Sequence, residues 1–358
     1  MEGGYYAIRF FRESTLRVAV ANFSPPIERT LDFERYWASF EKPPPPKRAT
    51  LFEPPQAWGF HIFALAAYLL EKGIATEAEF WDYREDRFSG YHSNGVLRVS
   101  FFNADDLKCY LNRFGYPDLF INYGQNGHPV LQRLAGKSFR VHVPCLRRGI
   151  YAKRNLDAEC FLVDSETYLD SRSMLYVPVV NTNKVCPGNG AKERDFIYLA
   201  SAYWGKRHDL LLESVRGTEL TGHLHPVDPS LLDLTGTKLT TSNWNEKDVV
   251  DLLRTSRIAV YPGDHTSNPA AMWECVAAGL PIVVNENIVG GKHLVVPGVT
   301  GELSSECGFT AAMRRLLEHR HSYHPREYFE QHWDTIETLE SYLDFFHRMG
   351  FESKAICS

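Results

Sequence analysis

The stretch SNPAAMWECVAAGLPIVV, residues 267–284, sets one carboxylate, Glu274, into a short helix of small and apolar side chains. Ser267 or Asn268 suits the helix N-cap, Pro269 the first helical position, and Gly279 followed by Pro281 the end. A helix bounded in this way aims its free backbone N–H groups and the positive end of its dipole at residues 266–269, a natural seat for an anion such as a phosphate. Most capped helices hold no ligand, so the punctuation alone leaves two readings open, a phosphate site or an ordinary helix start. Taken by itself, Glu274 reads as a partly buried, hydrogen-bonded core acid.

The scaffold for such a site must come from an α/β layout. At 358 residues the chain exceeds one typical core, and two domains of roughly 150–200 residues are expected. LRVAVANF (16–23) predicts a first strand, and GFHIFALAAYLLEKG (59–73) a helix that stops at Gly73. Between them lies a long proline-rich insertion, expected to be functional or mobile. ATEAEFWDY, DLFINYG, FRVHVPC and AECFLVDS read as further short strands, and residues 176–194, rich in Pro, Gly, Asn and Lys, as an interdomain linker. The second half restarts with the strand DFIYLASA, then the helix HDLLLESV, KLTTSN, the helix EKDVVDLLRTS, the strand RIAVYPG and the opening helix and strand. Alternating strands and helices argue for mostly parallel sheets, and the absence of a short fixed-period repeat disfavours a solenoid. Two similar α/β halves facing a cleft are the economical architecture.

Composition narrows the function classes. A charged fraction of 23% and a hydrophobic fraction of 44% are ordinary for a globular protein, and a net charge of -5 implies no global attraction to nucleic acid or anionic lipid. Arg9, Arg12 and Glu13 interrupt any secretory signal core, and no run of about 18 apolar residues occurs, so a cytoplasmic protein without a stable membrane span is expected. Seven cysteines without a CxxC pair argue against structural zinc and against a disulfide framework. No HExxH and no Asp-x-Asp occurs, so metal dependence is not indicated and no metal-binding residue is assigned.

The order YVPVVNTNKVCP, FIYLASAYWGKRHDLLLESV, NEKDVVDLLRTSRIAVYPGDHTSNPAAMWECVAAGLPIVVNENIVGGKHLVVPGVTGEL resembles the C-terminal half of retaining glycosyltransferases of the GT-B fold, the glycosyl transferases group 1 type. The resemblance covers residues 180–305, more loosely the N-terminal half, and FEQHWDTIETLESYLDFF is similar to the terminal helix that in these proteins crosses back to the first domain. It implies two Rossmann-like domains facing a cleft: an acceptor domain over 1–178, a nucleotide-sugar donor domain over 179–325, and a C-terminal helix over 326–358 packing back on the N-terminal domain.

The resemblance also assigns roles. Glu274 matches the acid that accepts hydrogen bonds from both ribose hydroxyls of the donor, a task suited to two carboxylate oxygens in a dry site, while the helix N-terminus with Ser267 and Asn268 holds the diphosphate. Lys206 matches the lysine that neutralises the diphosphate as the glycosidic bond breaks; read alone, it is a solvated lysine ahead of a helix. The arginine usual five residues earlier is Ser201, so Arg207 is the candidate replacement, with an exposed surface role as the alternative. Eight residues before Glu274, where the family commonly has a second glutamate facing the sugar, stands Thr266, with Asp264 and His265 beside it as substitutes or as plain turn residues. Leu294 stands near another usual glutamate, after Gly290 and Gly291, whose backbone is still expected close to the sugar. His142, at a strand end, matches a donor-sugar contact or is a satisfied structural histidine. Gly59 matches a glycine that approaches the phosphates or is a helix-start residue, and CLRRGIYAKRN (145–155) offers cations to an anionic acceptor or is a solvated loop.

These assignments imply a metal-independent, retaining glycosyltransferase, of hexosyl type, that takes a nucleotide-diphosphate sugar such as a UDP-sugar as donor substrate and needs no cofactor. The acceptor is open: a glycan, a lipid-linked molecule, a small molecule or a nucleic acid. A nucleotide-sugar epimerase of the same fold, a catalytically degenerate nucleotide-binding partner subunit, and a nucleic-acid-modifying glycosyltransferase are the alternatives.

Overall fold

A computed structural model of the chain describes residues 16–21, 32–42, 60–83, 89–91, 95–123, 128–143, 158–202, 204–243, 248–264 and 269–352. The described residues form two compact units: residues up to 143 with 158–162 and 341–352 make the first, and 163–340 the second.

In the first unit the apolar run 17–21 forms β1 (Arg17–Ala21), followed by α1 (Phe33–Ser39), α2 (Phe60–Glu71), β2 (Glu77–Tyr83), β3 (Ser89–Tyr91), β4 (Leu97–Phe101), α3 (Ala104–Phe114), β5 (Leu119–Tyr123), α4 (His128–Arg133), β6 (Phe139–Val143) and β7 (Cys160–Val163). The strands lie in the order β3-β4-β2-β1-β5-β6-β7, and all their assigned pairings are parallel except the short β3 on β4. The proline-rich insertion contains α1, capped by Asp32 and fixed by Trp37, whose indole donates to Asp106 at 2.6 Å. Three missed elements, β3, β4 and α3, follow β2. Asn103 starts α3 by accepting from the backbone of Asp105 and Asp106, and Gly115 ends it with φ 83.

A dry ion network secures the amino ends of β1 and β2. Glu79, 1% exposed, takes hydrogen bonds from Arg17, Trp81 and Tyr110 and pairs with Lys42 at 2.9 Å. These partners hold its carboxyl below the ordinary glutamate value against the cost of burial. Removing one member of such a network leaves an uncompensated buried charge, at a cost of about 3–5 kcal/mol.

The second unit continues with β8 (Ser173–Leu175), β9 (Arg194–Leu199), α5 (His208–Val215), β10 (Thr221–His225), β11 (Lys238–Thr241), α6 (Val249–Thr255), β12 (Ser256–Tyr261), α7 (Ala270–Ala277), β13 (Ile282–Asn285), β14 (Gly301–Ser304) and α8 (Phe309–His319). A six-stranded sheet in the order β11-β10-β9-β12-β13-β14 is parallel at every join. The segment 176–194 is less linker-like than its composition suggests, since Val180 and Val185 belong to the second core. The expected single terminal helix is broken at Trp333 into α9 (Pro325–His332) and α10 (Thr335–Arg348). Phe346 and Phe351 pack on Phe139 within the first unit, with ring centroids 6.2 and 5.3 Å away. Among the described residues no helix is long and apolar enough to cross a membrane.

Candidate nucleotide site

In the second sheet the chain runs from β9 to β10 on one side and returns to β12 on the other, so strand order reverses between β9 and β12. Parallel sheets bind ligands outside the carboxyl ends of their strands at this kind of reversal, where two loops part to opposite faces and leave a crevice. The loop after β9 carries Lys206 and Arg207; the loop after β12 carries Asp264 and leads into α7.

The turn bearing Lys206 is anchored from below. Tyr198, buried in β9, donates its hydroxyl to the Lys206 carbonyl at 2.6 Å, and the Arg207 backbone N–H donates to the Trp204 carbonyl at 3.2 Å. His208, the first residue of α5, lies against the Tyr198 ring with centroids 5.0 Å apart. Burial lowers the His208 pKa to about 4, only partly offset by the Ala200 backbone, and neither ring nitrogen makes a well-formed hydrogen bond among the described residues. Under the turn, then, lies a neutral imidazole. Lys206 itself is half-buried.

The helix α7 starts one residue later than its punctuation suggests. Pro269 is the N-cap rather than the first helical residue, because its ψ of 119° is still extended, and it supplies no side-chain cap. The other end is as read, with Gly279 in the left-handed region at φ 78. Ser267, Asn268, Thr266, His265 and Gly59 lie outside the described residues, as do residues 145–155.

Glu274 departs from the expectation of a hydrogen-bonded acid. The residue is half-buried, yet no described side chain bonds to it or pairs with it, and desolvation alone pushes its carboxyl up to about 7 from an ordinary 4.5. A half-buried carboxyl without a partner among the described residues keeps its acceptor capacity, and two adjacent hydroxyl donors would use it. One further residue completes the frame without any signal that motif reading uses. Asn285, fully buried at the end of β13, donates to the Pro262 carbonyl at 2.8 Å and so ties the loops after β12 and β13 together. A lone amide closing the apolar strand IVVN was the available clue. Gly291, at φ 84, turns the chain after β13 into the Lys292–Leu294 turn; Gly290 beside it is buried, and Leu294 is fully buried in the core.

Arg207 and His142 both have protein partners. Arg207 is bound to Asp209, Asp264 and Glu306. His142 is 2% exposed, and its Nδ1 lies 2.8 Å from the amide nitrogen of Asn122, its register partner on β5. Among the described residues no cluster of His, Cys, Asp and Glu has the makings of a metal site.

The chain aligns along 93% of its length with sucrose-phosphate synthase from Thermosynechococcus elongatus, at 14% identity, 99% of that chain and a TM-score of 0.69. The chain has the GT-B fold. HepE of Anabaena, solved in complex with UDP, matches at TM-score 0.65 and 10% identity over 93% of this chain and 100% of its own. The lipopolysaccharide outer core galactosyltransferase WaaB matches at 0.64 and 11% identity, over 93% and 99%. No family model and no curated protein sequence matches the chain. The GT-B architecture, two units with parallel sheets, is the one expected from the sequence.

Proposed function

We propose that the protein is a retaining glycosyltransferase that moves a sugar, a hexose in our reading, from a nucleotide-diphosphate sugar to an acceptor hydroxyl without a metal ion. The observation that carries this reading is Glu274: an unpaired, desolvated carboxyl on α7, the helix that follows the sheet reversal, with Lys206 on the neighbouring loop. That pairing suits a ribose, through two hydroxyl donors, and a diphosphate, through a cation and the start of α7. Proteins of the same fold support the donor class, since HepE is known with UDP and with UDP-glucose.

The chemistry assigned to the site is a front-face displacement. The bond from the anomeric carbon to the diphosphate oxygen breaks, the acceptor oxygen bonds to that carbon on the same face, and the acceptor's proton passes to the departing diphosphate. Charge on the diphosphate grows as its bond breaks, so Lys206 binds the transition state more strongly than the ground state. His142 has no place in this step, and the buried Asn122 contact supports a structural role for it.

The test is a panel of UDP-, GDP- and dTDP-sugars, followed by nucleotide release and by NMR of the anomeric configuration. Consumption of one donor, with retention and in the presence of EDTA, is expected. Consumption of none would refute the reading, and inversion or strict dependence on added manganese would refute the mechanism.

A further inference from the structure

Arg207 stands between the Lys206 turn and α5 in the left-handed region, at φ 51 and ψ 46, the only non-glycine residue with positive φ among those described. Arginine does not adopt this conformation by intrinsic preference, so its surroundings must hold it there. Its guanidinium shows how. Nε lies 3.1 Å from Asp209, Nη1 is 3.0 Å from Asp264 and 2.7 Å from Glu306, and Nη2 is 3.1 Å from Glu306. These bonds engage every N–H of the group but one.

The three carboxylates come from separate places. Asp209 is in the first turn of α5, Asp264 in the loop between β12 and α7, and Glu306 in the turn between β14 and α8. One side chain therefore joins three loops on the carboxyl side of the sheet. Hydrogen bonds donated by the guanidinium, those to Glu306 foremost, hold it charged well above its usual range. A phosphate drawn to Arg207 would have to displace carboxylates and then lie against them, whereas Lys206 next to it has its backbone carbonyl fixed by Tyr198.

We infer that Arg207 is a positioning residue, a clasp that holds Asp264, just past the end of β12, and Glu306, just past the end of β14, in register with the Lys206 turn, and that it is not itself a ligand of the diphosphate. This inference rests on the donor-site reading given above. It is an alternative to the expectation that Arg207 replaces the arginine missing at Ser201.

Calorimetry with UDP, GDP and dTDP on the full chain separates the roles by sign. Arg207→Gly keeps the left-handed backbone accessible while deleting the guanidinium, and Asp264→Asn removes its partner. For a clasp, both weaken nucleoside diphosphate binding, by about tenfold for a displaced site, and the double variant is no weaker than either single one. For a diphosphate ligand the signs split: Arg207→Gly weakens binding and Asp264→Asn, by removing one of the carboxylates that compete for the cation, tightens it, and that result would overturn the clasp. Hydrogen exchange without ligand supplies a second readout. Residues 261–264 and 303–308 should exchange faster in Arg207→Gly and Glu306→Gln, and unchanged exchange would overturn the clasp whatever the nucleotide does. If the wild-type protein binds none of the three nucleotides, the donor-site reading falls and the clasp's proposed role falls with it, an outcome distinct from a reversal of sign.

Discussion

Glu274 is a residue whose two protonation states have opposite uses. Its folded pKa of about 7 lies above its ordinary 4.5, so its contribution to stability is full below the ordinary value and is lost as pH rises through 7. Glu274→Gln should therefore be more stable than wild type at about pH 8, by on the order of 2–3 kcal/mol, with the difference vanishing towards about pH 4. Thermal unfolding at both pH values checks this, and equal stability at the higher one contradicts it. Nucleotide binding has the reverse sign, because ribose hydroxyls donate to the ionised carboxylate. Affinity for the nucleoside diphosphate should climb between about pH 6 and pH 8 and become flat in Glu274→Gln. For Lys206→Ala, transfer should slow by about a hundredfold while nucleoside affinity is little changed, since a nucleoside lacks the phosphates the lysine meets. Equal losses in rate and nucleoside affinity would count against a leaving-group role. At this scale the sequence was partly legible: Glu274 and Lys206 stand in local patterns that motif reading can use. The partners of Arg207 were not, because Asp264 and Glu306 lie 57 and 99 residues away and no spacing announces them.

Among the elements, those with clean apolar runs and capped ends were readable, as α7 and β9 show. The strand β10, Thr221–His225, was not, because a glycine and two histidines break its pattern; His223 and His225 are nonetheless buried, and both hydrogen-bond to Ser242. The helix α1 was hidden by surrounding prolines, and is held by the Trp37–Asp106 hydrogen bond, a contact across 69 residues. The packing of β9 under the Lys206 turn has a direct consequence. Tyr198→Phe deletes the donor to the Lys206 carbonyl and should cost about 1 kcal/mol of stability in denaturant unfolding. It should also lower the transfer rate more than the affinity for nucleotide, since the turn would aim Lys206 less accurately. An unchanged rate with the stability loss present would mean that the hydroxyl serves the fold alone.

The whole molecule keeps the GT-B arrangement at 14% identity or less to the solved proteins described above. Parallel strands with crossover helices need only apolar strands, amphipathic helices and glycines at turns, requirements that many sequences meet. The two-part organisation was legible for that reason, while the choice of sugar and acceptor depends on a few loop side chains that the fold does not dictate. With a net charge of -5, the molecule offers no general field to draw in an anionic donor, so the proposed site relies on local groups, the start of α7 and Lys206. The central claim is thus about one place in the second unit, and a crystal structure of the protein with the nucleoside diphosphate that binds it tests that claim most directly. The account predicts both ribose hydroxyls hydrogen-bonded to Glu274 and the diphosphate between the start of α7 and Lys206. A nucleotide bound elsewhere, or a ribose turned away from Glu274, would contradict it.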